Sequence, residues 1–228
     1  TCALPISEMN FLGFGTMNGK DGKPFKTRNG DLLRLEYLIK DVEDAVYNKI
    51  KENRDVADDE ARATAKVVGL AAIKYGDLSN QASKDYIFDI DRFTSFEGDT
   101  GPYVLYTIVR IKSILNKYEQ TYGAQSLSVA DRMKDFVAPE GASETDLCLL
   151  LTKFSEVIES AYAELAPHKI CKFIYDVANV FNSFYHDTKI LTEEDEKKRN
   201  SYIALITLTK SILETCTDLL AIKVPDRM

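Results

Sequence analysis

The chain has 228 residues, of which 45% are hydrophobic and 29% are charged, a composition typical of globular proteins. No run of about 18 apolar residues occurs and the first residues lack a basic segment, so we expect neither a membrane span nor a signal peptide. The formal net charge of −7 argues against nucleic-acid binding through overall charge, although a local basic surface can still meet phosphates.

The cysteines and histidines of the chain give no metal-ligand pattern. None of the four cysteines belongs to a Cys-x-x-Cys pair, and three of them lie on apolar stretches of predicted helices: Cys148, Cys171 and Cys216. This placement favours buried free thiols in a reducing cytoplasm. The two histidines, His168 and His186, have no ligand spacing around them, so we expect no protein-bound metal.

The first predicted element is a β-hairpin with a basic loop. Residues 11–17 favour a short strand, residues 18–23 are dense in turn formers, and residues 24–27 could return as a second strand. Four cations fall within nine residues of the loop, spaced by glycines. Such a loop can close on polyphosphate, because lysines offer point charges and glycines let the backbone approach; a solvated hairpin tip is the alternative. It is not a Walker A loop.

Two helices are predicted to follow the hairpin. The first begins at Asp31, a plausible N-cap, and carries apolar residues at helical spacing up to Ile50. The second begins at Asp58 and is rich in alanine, which allows close packing against neighbours. Residues 77–101 show no clear period, and connections of that length are usually functional. We therefore expect a domain boundary here, which divides the chain into residues 1–98 and 99–228.

The rest of the chain predicts a mainly α-helical fold. A helix over residues 102–121 and a short helix near 128–136 precede three long apolar patterns, over residues 147–161, 170–184 and 203–220. Each pattern places one apolar face at a spacing of 3.6 residues. Antiparallel packing of such helices buries a core without a sheet. We expect the last helix to end at Pro225.

Tyr103, Tyr106 and Arg110 lie three and four residues apart, on one face of the helix predicted over residues 102–121. Tyrosine and arginine side chains on one face can stack on the splayed bases of an RNA loop. A packed aromatic face is the alternative interpretation of the same pattern.

Tyr185, His186 and Asp187 end the second of the three long helical patterns. These residue types resemble part of a catalytic relay. No nucleophile with a supporting motif accompanies them, however, which argues against hydrolytic catalysis. We interpret them as a helix C-terminus at which His186 interacts favourably with the helix dipole.

Five segments in chain order resemble the arginyl-tRNA synthetase family of class I aminoacyl-tRNA synthetases. The segments are residues 14–30, 68–79, 85–103, 181–187 and 224–228. The first resembles that family's variant of the class I Lys-Met-Ser-Lys signature. The resemblance implies the C-terminal part of such an enzyme: the end of its catalytic domain over residues 1–98, with a short hairpin and linking helices, and an all-α anticodon-binding bundle over 99–228.

The resemblance also implies site residues in the basic loop. Residues 23–26 occupy the place of Lys-Met-Ser-Lys, which makes Lys23 and Lys26 the implied catalytic residues. Cations at these positions would stabilise the charge that develops on the ATP phosphates while arginine is activated. The implied ATP-binding residues, with Mg²⁺ accompanying the nucleotide, are Lys20, Lys23, Lys26, Phe14, Gly15 and Met17.

A second set of implied residues belongs to the RNA-facing side of the bundle. The resemblance assigns tRNA(Arg) as the partner and implies these contacts to its anticodon loop: Tyr103, Tyr106, Arg110, Tyr185 and Met228. It further implies a cytoplasmic monomer, with ATP and arginine as the substrates of the full enzyme and no membrane partner.

The family's other ATP motif, His-x-Gly-His, does not occur around His168 or His186. We therefore expect a fragment that supplies the lysine loop and anticodon binding and does not form arginyl-adenylate alone. The alternatives are a stand-alone tRNA-binding module without catalysis and a structural bundle without a ligand. The lysine loop favours the enzyme, because a pure RNA-binding module has no need of a segment that closes on ATP.

Overall fold

The computed structural model describes residues 11–24, 34–53, 55–123 and 128–228. The predicted return strand beyond Pro24, Lys26 and the predicted N-cap Asp31 lie outside these ranges. No helix in the described ranges is both long and apolar enough to cross a membrane.

Of the predicted hairpin, the described residues contain the first strand and the turn, and this first strand also pairs in parallel with a distant strand. β1 (Met17–Asn18) pairs in parallel with β2 (Tyr86–Ile87). The loop after β1 closes through one antiparallel bridge, between Asn18 and Pro24. The expectation of a longer strand over residues 11–17 is therefore wrong in its extent. The physical reason for this error is that β1 pairs with a strand far along the chain, in a stretch that has no apolar period. Such long-range pairing leaves no local signal in the sequence.

Two antiparallel helices follow, α1 (Leu35–Asn53) and α2 (Asp58–Leu78). They approach each other closely: a Cβ added at Gly69 of α2 would lie 3.2 Å from the Cα of Glu43 on α1. Three acidic residues in the first turn of α2 interact favourably with the helix dipole. The prediction that this alanine-rich helix packs tightly against a neighbour is confirmed.

The stretch without apolar period contains β2 and a one-turn helix, α3 (Ile90–Phe93). Asp89 caps α3, since its carboxylate accepts hydrogen bonds from the backbone N–H groups of Asp91 and Arg92. Phe88 and Phe93, on either side of this cap, meet edge to face at 4.8 Å and form a small core with residues of α1 and α2. This core fixes the segment that joins the helical pair to the rest of the chain.

Six helices form the remaining bundle in the residues that the structure describes. They are α4 (Gly101–Tyr122), α5 (Val129–Arg132), α6 (Ala142–Leu151), α7 (Phe154–Ala163), α8 (Pro167–Asp187) and α9 (Glu196–Leu219), with 3₁₀ turns at Met133–Asp135 and Ile190–Thr192. Thr100 caps α4, and Gly123 ends it in the left-handed region, with φ of 61°. The central core lies between α4, α8 and α9, where Ile108, Phe181 and Leu213 are fully buried.

The helical pair and the bundle share this core. Tyr75 of α2 is buried, and its hydroxyl lies 2.6 Å from Asp99 Oδ1 and 2.9 Å from the carbonyl oxygen of Cys171 on α8. Burial, and then the hydrogen bond to Asp99, raise the pKa of Tyr75 above its ordinary range. The neutral phenol therefore serves as a fixed polar link between the two parts of the structure.

Two predicted helices differ from the observed ones. The pattern over residues 147–161 is split into α6 and α7 by a break at residues 152–153. The last helix ends at Leu219 and not at Pro225. Ala221 turns the chain with a φ of 54°, and Ile222 N–H bonds to Thr217 O at 2.8 Å, which closes the helix earlier. Apolar periodicity continues across both breaks, so it could not locate them.

The cysteines in the described ranges are free thiols, as predicted. Cys171 and Cys216 are buried, whereas Cys148 is half-buried. Burial raises the pKa of Cys171 to about 12 and that of Cys216 to about 12. Thiols with such pKa values stay protonated at neutral pH, so they serve as packing groups rather than nucleophiles.

Candidate nucleic-acid interface and lysine loop

Three of the predicted RNA-facing residues come together where α4 and α8 meet the surface. The guanidinium of Arg110 lies 4.8 Å from the ring centroid of Tyr106 and 5.4 Å from that of Tyr185. We name Tyr106, Arg110 and Tyr185 the Tyr–Arg–Tyr cluster. Tyr185 is exposed and stacks at 6.2 Å on the buried ring of Phe181, so its outer face is held open to solvent by the core beneath it.

A hydrogen-bond network behind the cluster fixes its central cation. Arg110 donates through Nη1 to Asn182 Oδ1, and Asn182 donates through Nδ2 to the hydroxyl of Tyr103 at 2.9 Å. Tyr103 in turn donates to Asn179 Oδ1 at 2.7 Å, and its ring meets that of Tyr175 edge to face. Tyr103 therefore belongs to the support of the cluster, on the far side of Asn182 from Arg110, and both side chains are half-buried.

Met228 lies across a cleft from this cluster. The cleft measures about 510 Å³ and is lined by residues of α1, α2, α4 and the C-terminal tail, among them Phe96, Tyr106 and Met228. Met228 is half-buried and also packs against the central core. The structure thus places the predicted RNA-facing residues in one region: three in the cluster, Tyr103 behind it, and Met228 beyond the cleft that Tyr106 lines.

The Tyr-His-Asp sequence at the end of α8 forms no relay. His186 is exposed in the last turn of the helix, and its Nδ1 lies 3.3 Å from Asp187 Oδ1. This is a contact between neighbours on the surface, with the histidine at the helix C-terminus as predicted.

The lysine loop is tied to the start of α3. Lys20 Nζ lies 2.7 Å from Asp91 Oδ2 and 3.0 Å from Asp89 Oδ1. The hydrogen bonds to Asp91 and Asp89 raise the pKa of Lys20 above its ordinary value, so it stays charged throughout the physiological range. Lys20 therefore already has two anionic partners, and an ATP phosphate would have to replace them.

The other candidate ATP-binding residues border a separate groove. Phe14, Gly15 and Met17 line a mainly apolar groove of about 560 Å³ with residues of α1 and α2. A Cβ at Gly15 would lie only 2.3 Å from the carbonyl carbon of Lys84, so this position requires glycine. Lys23 is exposed in the turn after β1, where its backbone N–H donates to Asp21 Oδ1 at 3.1 Å.

The N-terminal segment is held in place by residues 82–85. Gly15 N–H donates to Ala82 O at 2.8 Å, and Thr16 N–H donates to Asp85 Oδ1 at 2.7 Å. The bond from Thr16 holds the pKa of the Asp85 carboxyl below its ordinary value. Over the described residues, no group of three or more histidine, cysteine, aspartate or glutamate side chains could hold a metal ion.

Comparison with known protein families shows to which family the bundle belongs. The family model described as "DALR anticodon binding domain" matches residues 104–228, more than half of the chain. The chain belongs to the DALR anticodon-binding domain family. The family model described as "tRNA synthetases class I (R), catalytic domain" matches residues 5–90, ahead of the DALR domain. The order of the two matches agrees with the order of the motifs in the sequence.

The curated proteins that resemble this chain are longer than it is. The arginine–tRNA ligase of Agathobacter rectalis is 61% identical over 97% of this chain and 38% of its own length. That of Alkaliphilus oremlandii is 54% identical over 96% of this chain and 36% of its own length. The chain thus spans little more than a third of the relatives it matches.

Solved structures resemble the fold over nearly the whole chain. The arginyl-tRNA synthetase of Thermus thermophilus superposes with a TM-score of 0.79 and 26% identity, over 95% of this chain and 35% of that one. The Plasmodium falciparum enzyme gives a TM-score of 0.73, also at 26% identity and 95% of this chain. The resemblance to the C-terminal part of arginyl-tRNA synthetases, and the mainly α fold class, are confirmed.

Sequence reasoning missed the polar support within the DALR domain. Asn179 and Asn182 lie three residues apart on α8, on the face that meets α4, and Asn182 bonds to both Arg110 and Tyr103. The available signal was spacing: Asn182 precedes Tyr185 by three residues and therefore shares its helix face. It could not be used, because the sequence does not say which face of α8 meets α4.

Proposed function

We propose that this chain is part of an arginine–tRNA ligase, which activates arginine with ATP and transfers it to tRNA(Arg). In this proposal residues 1–98 complete the catalytic domain with the lysine loop, and residues 99–228 bind the anticodon arm. The observation that carries the proposal is the Tyr–Arg–Tyr cluster on a DALR domain. The names of the similar proteins, which are arginine–tRNA ligases, support the identity of the amino acid and the RNA.

The cluster suits unpaired RNA bases for a physical reason. Every base has an apolar face that stacks on aromatic rings or on a guanidinium, and each such contact contributes about 1–3 kcal/mol. Stacking of this kind does not require a positive overall charge, which reconciles RNA binding with a net charge of −7. The network through Asn182 limits the motion of Arg110, so less conformational entropy is lost when a base binds.

For the lysine loop we propose closure on the phosphates of Mg²⁺–ATP, the substrate of the full enzyme. Lys20, Lys23 and Lys26 would contact the phosphates, and Lys23 and Lys26 would stabilise the charge of the leaving pyrophosphate. Phe14, Gly15 and Met17 would border the nucleotide. We propose that the chain alone forms no arginyl-adenylate, and that the enzyme acts as a cytoplasmic monomer.

Titration of the chain into fluorescently labelled tRNA(Arg) tests the RNA-binding part of the proposal. Tyr185→Ala should weaken binding roughly tenfold or more, because one stacking face is lost. Tyr162→Ala is the matched control: it removes an exposed tyrosine of α7 that is not part of the cluster, and should leave the affinity unchanged. Equal affinities for the wild type and Tyr185→Ala would contradict the proposed interface and favour a structural bundle.

Arginine-dependent ATP–pyrophosphate exchange tests the catalytic part. The isolated chain should show no exchange, and a relative's full-length enzyme should show it under the same conditions. In that full-length enzyme, glutamine at the lysine aligned with Lys23 should lower the exchange rate more than it lowers tRNA affinity. An unchanged exchange rate would contradict the proposed role of Lys23 on the ATP phosphates.

A further inference from the structure

A polar recess lies beside the cleft that holds Tyr106 and Met228. It measures about 650 Å³ and is bounded by α4, α5, α9 and the C-terminal tail. We name it the tail recess and define it by Lys112, Glu119, Arg132, Lys210, Glu214 and Arg227. Arg227 lines both the tail recess and the cleft of Tyr106 and Met228, so the two depressions adjoin at the tail.

Two lysines of the tail recess share one carboxylate. Lys210 Nζ lies 3.1 Å from Glu214 Oε2, and Lys112 Nζ lies 3.5 Å from Glu214 Oε1. Their side chains are only 28% and 23% exposed, so both ammonium groups have lost much of their contact with water. One carboxylate cannot fully neutralise two ammonium ions, and Asp226, at 4.0 Å from Lys112, is fully exposed and contributes little.

The guanidinium of Arg132 adds to the positive charge of the tail recess. Arg132 is 8% exposed, and its Nη2 lies 3.4 Å from Glu119 Oε1. With Arg227, four cations of the tail recess face three carboxylates, which leaves an excess of one positive charge in a chain whose net charge is −7. Arg227 is exposed, but the other three cations are at least partly buried, so solvent screens their charge less than it would screen an exposed patch.

The lining favours an anion over a base. None of the described residues that line the tail recess is aromatic, so it offers no ring on which a base could stack. Lysines act as point charges and meet phosphates without needing a fixed planar partner. The hydroxyl group of Ser211 on the same lining can donate a hydrogen bond to a phosphate oxygen, whereas those of Ser128 and Thr207 already donate to Asp131 Oδ2 and to the carbonyl oxygen of Ile203.

We infer that the tail recess is a second subsite of the RNA surface and binds a phosphodiester group of the tRNA whose loop bases stack on the Tyr–Arg–Tyr cluster. The inference rests on the proposed function. Lys112 follows Tyr106 by six residues on α4, about 9 Å along the axis and roughly a third of a turn around it. RNA stacked on the cluster would pass Met228 and Arg227 before its backbone meets Lys112 and Lys210.

The two subsites then have different tasks. The phosphate subsite fixes the position of the RNA backbone and makes affinity depend on salt, but it carries no sequence information. The Tyr–Arg–Tyr cluster meets the bases. When a phosphate binds, Lys112 and Lys210 exchange part of their attraction to Glu214 for the phosphate oxygens, so Glu214 opposes binding.

Binding of labelled tRNA(Arg) over a series of KCl concentrations tests the inference. Lys112→Gln and Lys210→Gln should each weaken binding roughly tenfold at low salt. Each should also reduce the slope of log K against log [KCl], and because both lysines meet one phosphate, the double variant should reduce it by about 0.7–0.9. Preference for tRNA(Arg) over other tRNAs should stay unchanged. Glu214→Gln should act in the opposite direction and tighten binding about two- to fivefold at low salt.

Lys172→Gln is the matched control. It breaks an ion pair between residues four apart on α8, Lys172–Asp176, as Lys210→Gln breaks Lys210–Glu214 on α9. It should leave the salt slope unchanged. Thermal unfolding of every variant shows whether folding has been preserved, and the opposite sign expected for Glu214→Gln cannot come from loss of folding.

The outcomes separate the inference from the proposed function. Unchanged slopes in both lysine variants, with binding still weakened by Tyr185→Ala, would overturn the tail recess as a subsite and leave the RNA interface intact. Absence of tRNA binding by the wild-type chain would overturn both. Inorganic phosphate added to the complex should displace no more tRNA than KCl at the same ionic strength. If phosphate does displace the tRNA, and this displacement is lost in Lys210→Gln, the recess is a site for small anions instead.

Discussion

The lysine loop and the Tyr–Arg–Tyr cluster are held in opposite ways. In the loop segment, residues 11–24, no residue is buried, and a few backbone bonds and the contact of Lys20 with Asp89 and Asp91 hold it in place. The cluster stands directly on the buried core of the bundle, with Asn182 bonded to its central arginine. If the proposed function holds, the cluster is already arranged to meet RNA bases, whereas Lys20 must leave Asp89 and Asp91 before it can contact a phosphate.

The largest expected contrast is in stability. Leu213→Ala in the centre of the bundle removes a fully buried side chain and should lower the free energy of unfolding by about 2–5 kcal/mol. Leu12→Ala is the same change in the exposed loop segment and should alter it by less than about 0.5 kcal/mol. Urea denaturation followed by circular dichroism measures both. Equal losses would mean that the loop segment is packed as firmly as the bundle.

Asn182 tests whether the cluster is arranged in advance. Asn182→Leu keeps the size of the side chain but removes the acceptor of Arg110 and the donor to the Tyr103 hydroxyl, so tRNA(Arg) affinity should fall roughly tenfold. Asn182→Asp retains the oxygen that accepts from Arg110 and should lose much less. The tRNA affinity and the melting temperature are measured for both variants. If both variants lose the same affinity, and that loss follows the loss of stability, Asn182 does not position Arg110.

Gly15 tests the backbone contact that holds the loop segment. Gly15→Ala would place a Cβ 2.3 Å from the Lys84 carbonyl carbon, so the segment must shift at a cost of about 1–3 kcal/mol. Because no buried residue opposes the shift, the loss should be local: faster hydrogen exchange at the Thr16 and Tyr86 amides, with global unfolding almost unchanged. Gly13→Ala, whose nearest neighbour would be 3.9 Å away, is the control and should leave exchange unaltered.

The smallest expected effect is the pH dependence of the hydrogen bond from the Thr16 amide to the Asp85 carboxylate. The pKa of Asp85 is lowered in the fold, so its contribution is present above the ordinary carboxyl value of 3.8 and is lost as pH falls through the lowered value. Below pH 3.8, protection of the Thr16 amide should decrease. Asp85→Asn should remove this dependence, as measured by amide exchange against pH. Equal pH dependence in wild type and variant would assign the effect to another group.

The sequence predicted those parts of the fold that leave a local pattern in it. Helix α4, with its Pro102 near the start and apolar face, agrees closely with its predicted limits, and the spacing of Tyr106 and Arg110 correctly placed them together. The parallel pairing of β1 with β2 left no local pattern, since its two strands lie far apart in the chain. The break between α6 and α7 occurs inside a continuous apolar period.

The sequence predicted the candidate site about as far as it predicted the fold. The motif resemblance pointed to both the loop and the cluster, but not to the contacts that distinguish them. The resemblance implies that Lys20 meets ATP, yet its partners Asp89 and Asp91 lie in the stretch without apolar period, where no pattern connects them to the loop. Asn182 bonds across two helices, and such contacts depend on tertiary packing that one sequence does not specify. The assignments of individual residues to ATP and tRNA stay predictions.

The most direct test of the central claim is a hydroxyl-radical footprint of the chain on tRNA(Arg). The account predicts protection confined to the anticodon arm, with the riboses of the loop nucleotides losing their protection in Tyr185→Ala while tRNA integrity and protein folding are unchanged. Protection elsewhere on the tRNA, or protection of the anticodon loop that persists in Tyr185→Ala, would contradict the Tyr–Arg–Tyr cluster as the surface that meets the anticodon loop.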